Sequence, residues 1–272
     1  MKVCVYGLGH LGSVTAACLA RVGHDVTAVE LIEYPQGEPM LGDMMITVKI
    51  EGLRSVEKSE ILWVTFDTPV DDRGRADVDF VLGKIREIMP MVAEPTPIIV
   101  SSQLPVGTIR KLEEEFPRHM WVCIPENLRH GTAVENFLHP DRVVVGYRSK
   151  EAFDRVKALL GPITDGYDRI IGMSIESAEM VKHAINAFLA MSIAFINEIS
   201  TICETVGADP KEVERGLKTE ERIGSKAYLT PGGPYTGKTL ARDVKYLREW
   251  SDDYECPLIW AVEESNQKRG GE

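Results

Sequence analysis

The chain has 272 residues, which is enough to bury a substantial core in two domains of modest size. Its formal net charge of −11 argues against a nucleic-acid or anionic-membrane surface, because those partners need clustered Lys and Arg. The five cysteines are scattered without paired spacing, and no leader or apolar run of transmembrane length is evident. We therefore expect a soluble cytoplasmic protein without disulfides and without a metal site.

A glycine-rich turn near the N-terminus predicts a dinucleotide site. A strand-like run from Lys2 to Tyr6 is followed by Gly7-Leu-Gly9-His-Leu-Gly12, a helix-like segment to Arg21 and a second strand from Asp25 to Val29. In this context the first glycine allows the tight bend, the second lets a pyrophosphate approach the backbone, and the third lets helix and strand pack closely. The candidate cofactor-binding residues of the turn are Gly7, Gly9, His10, Leu11 and Gly12. A glycine-rich turn without a ligand is the alternative.

Glu30 lies at the end of the second predicted strand. An acidic residue at this position accepts hydrogen bonds from both hydroxyls of the adenosine ribose and would repel a 2′-phosphate. No Arg follows Glu30 directly to receive such a phosphate. The sequence therefore predicts NAD, rather than NADP, as the cofactor.

Strands then alternate with helices as far as residue 173. Strands are predicted at 61–66, 98–101, 121–124 and 142–146, and helices at 78–89, 109–116 and 151–160. The connection from Leu31 to Asp43 holds two Pro and two Gly, so we expect no full crossover helix there. The alternation predicts a Rossmann-like, doubly wound parallel α/β sheet that binds its ligand at the carboxyl ends of the strands. The candidate cofactor-binding residues at that edge are Thr68, Pro69, Ser102 and Gln103.

A long helix is predicted from Ser174 to Val206, ending before Gly207. From Ala184 to Ile196 it carries no charge, so we expect it to be buried nearly all round. Lys182 and Asn186 are four residues apart on one face, and a buried ammonium is costly unless an anionic or catalytic group meets it. A lysine at the helix edge, with its ammonium in water, is the alternative.

Short helices are predicted beyond the long one, at 210–216, 241–250 and 257–267, with a Gly/Pro-rich loop over 230–243. This region carries no strand pattern. We predict a Rossmann-like NAD-binding domain over residues 1–173 and an all-helical domain, built on the long dimerisation helix, over residues 174–272.

Several spaced motifs together resemble the UDP-glucose/GDP-mannose dehydrogenase family. They lie, in the family's order, at 7–12, 102–108, 125–131, 140–146, 176–186, 195–199, 207–209 and 222–224. The resemblance implies an NAD domain, a helical domain whose long helix forms much of a dimer interface, and oxidation of a sugar-nucleotide alcohol toward a carboxylate. The candidate catalytic residues are Lys182, Asn186, Asp243, Glu126 and Thr239, and the candidate substrate-binding residues are His130, Arg222, Tyr228 and Lys238.

The departures from the family pattern concern the second half of its reaction. Thr239 stands where the family has the cysteine that traps the aldehyde, and an unactivated hydroxyl has essentially no alkoxide at neutral pH. Gln103 replaces a Thr that positions water, and His130 replaces a second Glu, although Glu126 and Asp243 are kept. The chain also stops soon after the start of the family's connecting helix, so we expect the C-terminal nucleotide-binding domain to be absent. These departures weigh against the family's four-electron oxidation.

We therefore predict an NAD-dependent dehydrogenase that oxidises an alcohol of a sugar, sugar nucleotide or nucleotide by one hydride transfer, acting as a homodimer. Lys182 would take the hydroxyl proton or stabilise the alkoxide, Asn186 would orient the hydroxyl, and Asp243 would hold Lys182 or a water. Hydroxyacid dehydrogenases that stop after one oxidation also resemble the chain, through a Lys-x-x-x-Asn pair. The alternatives are a two-step oxidation through Thr239, a hydrate or another cysteine, a redox-neutral epimerisation or elimination, and an inactive NAD-binding partner subunit. His183 is expected to be a satisfied structural histidine.

Overall fold

The structure is a computed structural model that describes residues 1–31, 41–71, 75–126, 128–129, 131–164, 168–236, 239–251 and 256–270. Its strands are β1 (Lys2–Leu8), β2 (Asp25–Leu31), β3 (Lys49–Glu51), β4 (Ile61–Val64), β5 (Pro97–Val100), β6 (Met120–Cys123), β7 (Val143–Tyr147) and β8 (Ile170–Met173). Its helices are α1 (His10–Arg21), α2 (Leu41–Met45), α3 (Val78–Ile88), α4 (Thr108–Glu115), α5 (Ala133–Leu138), α6 (Lys150–Leu160), α7 (Ile175–Val206), α8 (Pro210–Thr219), α9 (Leu240–Ser251) and α10 (Pro257–Lys268).

The chain separates into two compact units. The first comprises Met1–Pro69 with Asp77–Lys182, and the second comprises Val70–Ala76 with His183–Glu272. The division falls inside α7, whereas the sequence analysis places the domain boundary near Met173. The boundary near Met173 between the NAD-binding domain and the helical domain stays a prediction.

The first unit is built on one sheet with the strand order β3-β2-β1-β4-β5-β6-β7-β8. All neighbouring strands are parallel except β6 and β7, which are antiparallel. Strand β4 illustrates why the sheet is covered on both faces. Its Ile61 and Trp63 belong to one hydrophobic cluster, and Leu62 and Val64 belong to the other, so every position of the strand is apolar. The predicted doubly wound α/β sheet is confirmed.

Strands β3 and β8 and helices α2 and α5 of this unit were not predicted. Strand β3 is a fully exposed edge strand of three residues, and α5 has only six residues, so neither produces a usable hydrophobic period. No strand was predicted after residue 146, but Ile170–Met173 forms the edge strand β8. The prediction for the connection from Leu31 to Asp43 lies mostly outside the described residues, and α2 begins near its end.

Helix α7 begins in the first unit, where Glu179 connects it to α4. Glu179 is buried, and its Oε2 accepts a hydrogen bond from Gly107 N at 2.7 Å, while its Oε1 accepts one from Ile109 N at 3.2 Å. Gly107 is the N-cap of α4 and offers no side-chain cap, so the carboxylate from α7 satisfies backbone N–H groups that would otherwise lack a partner. The start of α7 is thereby fixed to the loop that precedes α4.

The C-terminal part of α7 belongs to the second unit, and there the expectation of burial nearly all round is wrong for the single chain. Four large apolar side chains are exposed: Phe188 by 62%, Phe195 by 49%, Ile202 by 56% and Val206 by 70%. The absence of charge between Ala184 and Ile196 also predicts a dimerisation helix, and the exposed side chains fit a helix face that another surface covers.

By length and composition alone, α7 is also apolar enough to cross a membrane. Its most apolar stretch is 39% buried in the single chain, and a core helix of a soluble protein meets the same criteria. The cytoplasmic location and the absence of a membrane partner therefore stay predictions.

The second unit packs its helices around a small apolar cluster that includes Ala190, Tyr235, Val244 and Val262. Asn197 of α7 is buried and fixes the loop before α9. Its Nδ2 donates to Gly233 O at 2.9 Å, and its Oδ1 accepts from Gly232 N at 3.0 Å. These backbone contacts explain how a Gly/Pro-rich loop is held without secondary structure of its own.

We predict that Glu179→Ala lowers the free energy of unfolding by about 2–4 kcal/mol, because it leaves two buried N–H groups without their acceptor. Urea denaturation measures the loss. Glu179→Gln, which keeps one acceptor oxygen, should lose less. Glu176→Ala on the same helix removes a partly exposed ion pair with Arg148 and serves as the control. An equal loss in Glu176→Ala would contradict the assigned role of Glu179.

Candidate active site and cofactor-binding region

The glycine turn between β1 and α1 has the close backbone approaches that a dinucleotide site requires. Gly7 has a φ of 100°, which is favourable only for glycine. A Cβ on Gly12 would lie 2.0 Å from Gly7 O, and a Cβ on Gly9 would lie 2.9 Å from Asp67 Oδ2. Gly9 is the N-cap of α1 and provides no side-chain hydrogen bond, so the first N–H groups of this helix suit a pyrophosphate. The residues of the turn therefore fit NAD.

The loops after β4 and β5 meet beside this turn. Thr68 Oγ1 donates a hydrogen bond to Gln103 O at 2.6 Å, which joins two of the predicted cofactor-binding segments. Ser102 Oγ is buried, and no described residue forms a hydrogen bond with it. A buried hydroxyl that lacks a protein partner is costly unless a ligand or water satisfies it. Ser102 therefore fits the expected role of a cofactor contact.

Glu30 lies near the end of β2 and is the one non-glycine residue with a positive φ, 63°, among the residues that the structure describes. Its carboxylate forms an ion pair with Lys84 Nζ of α3 at 2.6 Å. Glu30 was predicted to contact the adenosine ribose, and its ion pair with Lys84 was not predicted.

Glu126, in the loop after β6, is electrostatically coupled to Lys182 of α7 and to Asp67 within the first unit. Burial raises the pKa of its carboxyl to about 7, the Lys182 ammonium opposes the rise, and the Asp67 carboxylate adds to it. Its Oε1 is inaccessible to solvent and has no hydrogen-bond partner among the described residues. Glu126 therefore changes its charge near neutral pH, beside the lysine proposed to act on the substrate.

Asp243 of α9 is fully buried in the second unit, where two side chains of α7 hold its carboxylate. His183 Nδ1 lies 2.9 Å from Asp243 Oδ1, and Asn186 Nδ2 donates a hydrogen bond to Asp243 Oδ2. The rings of Tyr246 and Trp250 pack edge-on against the imidazole of His183. The carboxylate expected to hold Lys182 or a water is therefore engaged by Asn186 and His183.

His183 is the site residue whose contact the sequence analysis missed. It was predicted to be a satisfied structural histidine, and it is buried and hydrogen-bonded, but its partner is one of the candidate catalytic residues. The available signal was its spacing, because residues three apart on a helix share a face and His183 precedes Asn186 by three.

The remaining candidates are more exposed. Thr239 is exposed, and its carbonyl oxygen accepts a hydrogen bond from Asp243 N at 3.3 Å at the start of α9. Arg222 forms an exposed ion pair with Glu220 at 2.7 Å, and Tyr228 is partly exposed. The other two predicted substrate-binding residues, His130 and Lys238, lie outside the described residues.

The cysteines offer no evident replacement nucleophile. Cys123 is buried, and burial raises the pKa of its thiol well above the ordinary value, which disfavours the thiolate. Cys256 is exposed at the N-cap of α10. Within the part of the chain that the structure describes, no cluster of His, Cys, Asp and Glu could hold a metal ion.

Glu126 gives a pH-dependent prediction for stability. The pKa of its carboxyl is about 7 in the folded protein, against an ordinary value of 4.5, so the folded state binds the proton more tightly than the unfolded state. The free energy of unfolding therefore falls as the pH rises from about 4.5 through 7. Glu126→Gln is neutral at every pH. Its free energy of unfolding relative to wild type should therefore rise by about 1–3 kcal/mol when the pH is raised from 5 to 8, allowing for partial exposure. Urea denaturation at both pH values measures this. Glu114→Gln, at an exposed position of α4, should follow wild type, and a pH-independent difference for Glu126→Gln would contradict the buried acid.

Comparison with known proteins identifies both units of this architecture. The NAD binding domain of the UDP-glucose/GDP-mannose dehydrogenase family matches residues 38–164, and the central domain of that family matches residues 176–268. The UDP-glucose 6-dehydrogenase of Rickettsia bellii is 30% identical over 99% of this chain and 67% of its own length. That of Rhizobium meliloti is 32% identical over 95% of this chain and 65% of its own length. The chain thus spans about two thirds of the length of the curated relatives it matches.

Solved structures confirm the fold. A UDP-glucose dehydrogenase from Pyrobaculum islandicum superposes with a TM-score of 0.87 at 24% identity, covering 98% of this chain and 68% of that one. The 3-hydroxyisobutyrate dehydrogenase of Mycobacterium tuberculosis has a TM-score of 0.74 at 16% identity, covering 98% of this chain and 92% of that one. The matched NAD binding domain also confirms NAD as the cofactor. The chain therefore belongs to the UDP-glucose/GDP-mannose dehydrogenase family and carries that family's NAD-binding and central domains.

Proposed function

We propose that the chain is an NAD-dependent oxidoreductase that removes one hydride from an alcohol of a sugar, sugar nucleotide or nucleotide. The observation that carries the proposal is the fixed position of Asn186, held by the buried Asp243 one helical turn beyond Lys182 on α7. The relatives named above are UDP-glucose 6-dehydrogenases, which supports a nucleotide sugar as the class to test first.

The contact with Asp243 determines what Asn186 offers to a substrate. An ionised carboxylate only accepts hydrogen bonds, so the amide must turn its Nδ2 toward Asp243. Its Oδ1 is then the group that can accept a hydrogen bond from a substrate hydroxyl. This orients the carbon–hydrogen bond for transfer, and bound NAD supplies the hydride acceptor.

Lys182 and Glu126 are the groups that accept the proton of that hydroxyl. Lys182 gives a proton to the Glu126 carboxylate and takes the hydroxyl proton in its place, so that its ammonium stabilises the oxygen as the hydride leaves. Because the pKa of Glu126 is close to 7 and its carboxyl is coupled to Lys182, it is suited to receive a proton from the lysine at neutral pH. The products of the step are a carbonyl compound, NADH and one proton.

Thr239 gives the reason to expect a single oxidation. A second hydride transfer requires a tetrahedral adduct on the aldehyde, which a thiolate forms readily and an unactivated hydroxyl does not. Thr239 is exposed at the start of α9, and only its backbone carbonyl has a described contact. The two-step oxidation, which the family resemblance implies, is the second candidate.

The exposed face of α7 supports a homodimer. Phe188, Phe195 and Ile202 are spaced seven residues apart, and Val206 follows four later, which is the apolar repeat of helices that pack against each other lengthwise. We name these four side chains the α7 stripe. A second copy of the chain offers the same stripe under twofold symmetry and would cover it.

The number of NADH molecules formed per substrate tests the reaction. We expect one NADH and a carbonyl product from sugar nucleotides, sugar phosphates or nucleotides, followed by absorbance and by mass spectrometry of the products. Lys182→Ala should lower kcat by about a hundredfold or more, since it removes the charge that stabilises the alkoxide. Thr239→Ala should lose little. Two NADH with a carboxylate product would instead establish the two-step reaction.

Thr239→Cys is the complementary variant. If an aldehyde is held where the family holds it, the thiol should form a covalent adduct that intact-protein mass spectrometry detects, with Thr239→Ser as the control. No NADH from any compound, alongside tight NAD binding, would overturn the proposed oxidation in favour of a redox-neutral or noncatalytic role.

The homodimer is tested by sedimentation at micromolar concentration. Wild type should sediment as a dimer, and Phe188→Glu or Phe195→Glu should dissociate it or make it insoluble, because an unpaired charge would be buried at the interface. Glu204→Gln, at an exposed position of α7 outside the α7 stripe, should remain a dimer. A monomeric wild type would contradict the assignment.

A further inference from the structure

Glu30 does not stand alone at the end of β2, because a compact group of charged side chains surrounds it in the first unit. Lys84 Nζ lies 2.6 Å from Glu30 Oε1 and 3.5 Å from Glu87 Oε2. The Tyr6 hydroxyl lies 3.5 Å from Glu87 Oε2. Lys84 is the shared cation of this group, between two carboxylates, and its side chain is 25% exposed.

The backbone of Glu30 is bent in a way that favours this contact. Val29 packs in the hydrophobic cluster that contains Val81 and Ile85 of α3, whereas Ala28 packs in the cluster on the other face of the sheet. Regular alternation would therefore direct Glu30 away from α3. Its φ of 63°, unfavourable for a residue with a Cβ, breaks the alternation, and its carboxylate reaches Lys84.

The charged form of Lys84 is stabilised by its surroundings. The hydrogen bond to Glu30 is the largest contribution that raises the pKa of its ammonium. At neutral pH the Lys84 ammonium is therefore positively charged whether or not a ligand binds, and the Glu30 carboxylate compensates this charge.

We propose that Lys84 is a latent receptor for the 2′-phosphate of NADP, and that its ion pair with Glu30 sets the choice between NAD and NADP. An acidic residue at the end of β2 faces the adenosine ribose, so a phosphate on the 2′-oxygen would compete with the Glu30 carboxylate for the same ammonium. With Glu30 in place, the carboxylate both occupies Lys84 and repels the phosphate. The cation that completes an NADP site then comes from α3 and not from the residue after Glu30, which is Leu31.

The charges of the group predict a graded response. Lys84 contributes one positive charge, and Glu30 and Glu87 contribute two negative charges at 2.6 and 3.5 Å from it. Removing the charge of Glu30 leaves Lys84 partly compensated by Glu87. Removing the charges of both Glu30 and Glu87 leaves the Lys84 ammonium available to the 2′-phosphate. This inference depends on NAD binding by the matched domain and not on the proposed oxidation.

Calorimetric titration with NAD, NADP and adenosine 2′,5′-bisphosphate tests the proposal without any turnover. Wild type should bind NAD more tightly than NADP. Glu30→Gln should tighten NADP by about tenfold or more and weaken NAD, because a repelling charge is removed and a charged acceptor for the ribose hydroxyls is lost. Glu30→Gln with Glu87→Gln should tighten NADP further, and adenosine 2′,5′-bisphosphate should follow NADP in each variant.

The role of Lys84 is isolated in the Glu30→Gln background. Adding Lys84→Met should remove the gain in NADP affinity and leave NAD affinity at the Glu30→Gln value, while adding Lys84→Arg should keep the gain. Arg86→Met is the matched control, since it removes one positive charge from the same helix but at a guanidinium bonded to Glu115 at 2.9 Å. It should leave the NADP gain intact. A gain that survives Lys84→Met, or one that Arg86→Met removes equally, would overturn the proposal.

Discussion

The buried carboxylate of Glu179 joins α7 to the start of α4 in the first unit. It is a residue of α7, yet it satisfies the N-terminal N–H groups of α4 at Gly107 and Ile109. The loop that ends at Gly107 also contains Ser102 and Gln103, and Lys182 lies one turn beyond Glu179 on the same helix. One buried carboxylate therefore links the helix that carries the candidate lysine to the loop that carries the candidate cofactor residues. A neutral side chain could not satisfy two backbone donors as strongly.

Asp243 has the corresponding role in the second unit, although its partners are side chains. A buried carboxylate is stable only when its acceptors are used, and both oxygens of Asp243 are engaged, one by His183 and one by Asn186. The same contact that keeps this charge in the core also fixes the rotation of the Asn186 amide. The stability of this core and the proposed orientation of the substrate would thus have one cause, so we expect a variant of Asp243 to change both at once.

The sequence predicted features that depend on neighbouring residues and missed those that depend on distant ones. The glycine turn and α7 follow from local spacing, and both are present at nearly the predicted bounds. The contact between His183 and Asp243 joins residues 60 positions apart, and local spacing indicates only that His183 shares a face with Asn186. The ion pair between Glu30 and Lys84 joins β2 to α3, and no local pattern indicates it. The uncharged run of α7 predicted a covered helix but not which side chains the single chain leaves exposed, because such a run does not distinguish a core from an interface.

The angular positions on α7 separate the candidate polar site from the exposed α7 stripe in the same unit. Each residue turns an α-helix by about 100°, so Phe188 lies about 200° from Asn186 and on the opposite side of the helix. His183 is about 300° from Asn186, which places it beside the amide and toward Asp243. A second copy seated on the α7 stripe would consequently cover Phe188 and leave the contact between Asn186 and Asp243 untouched. The proposed dimerisation and the proposed orientation of the substrate hydroxyl would therefore make no competing demands on the sequence of this helix.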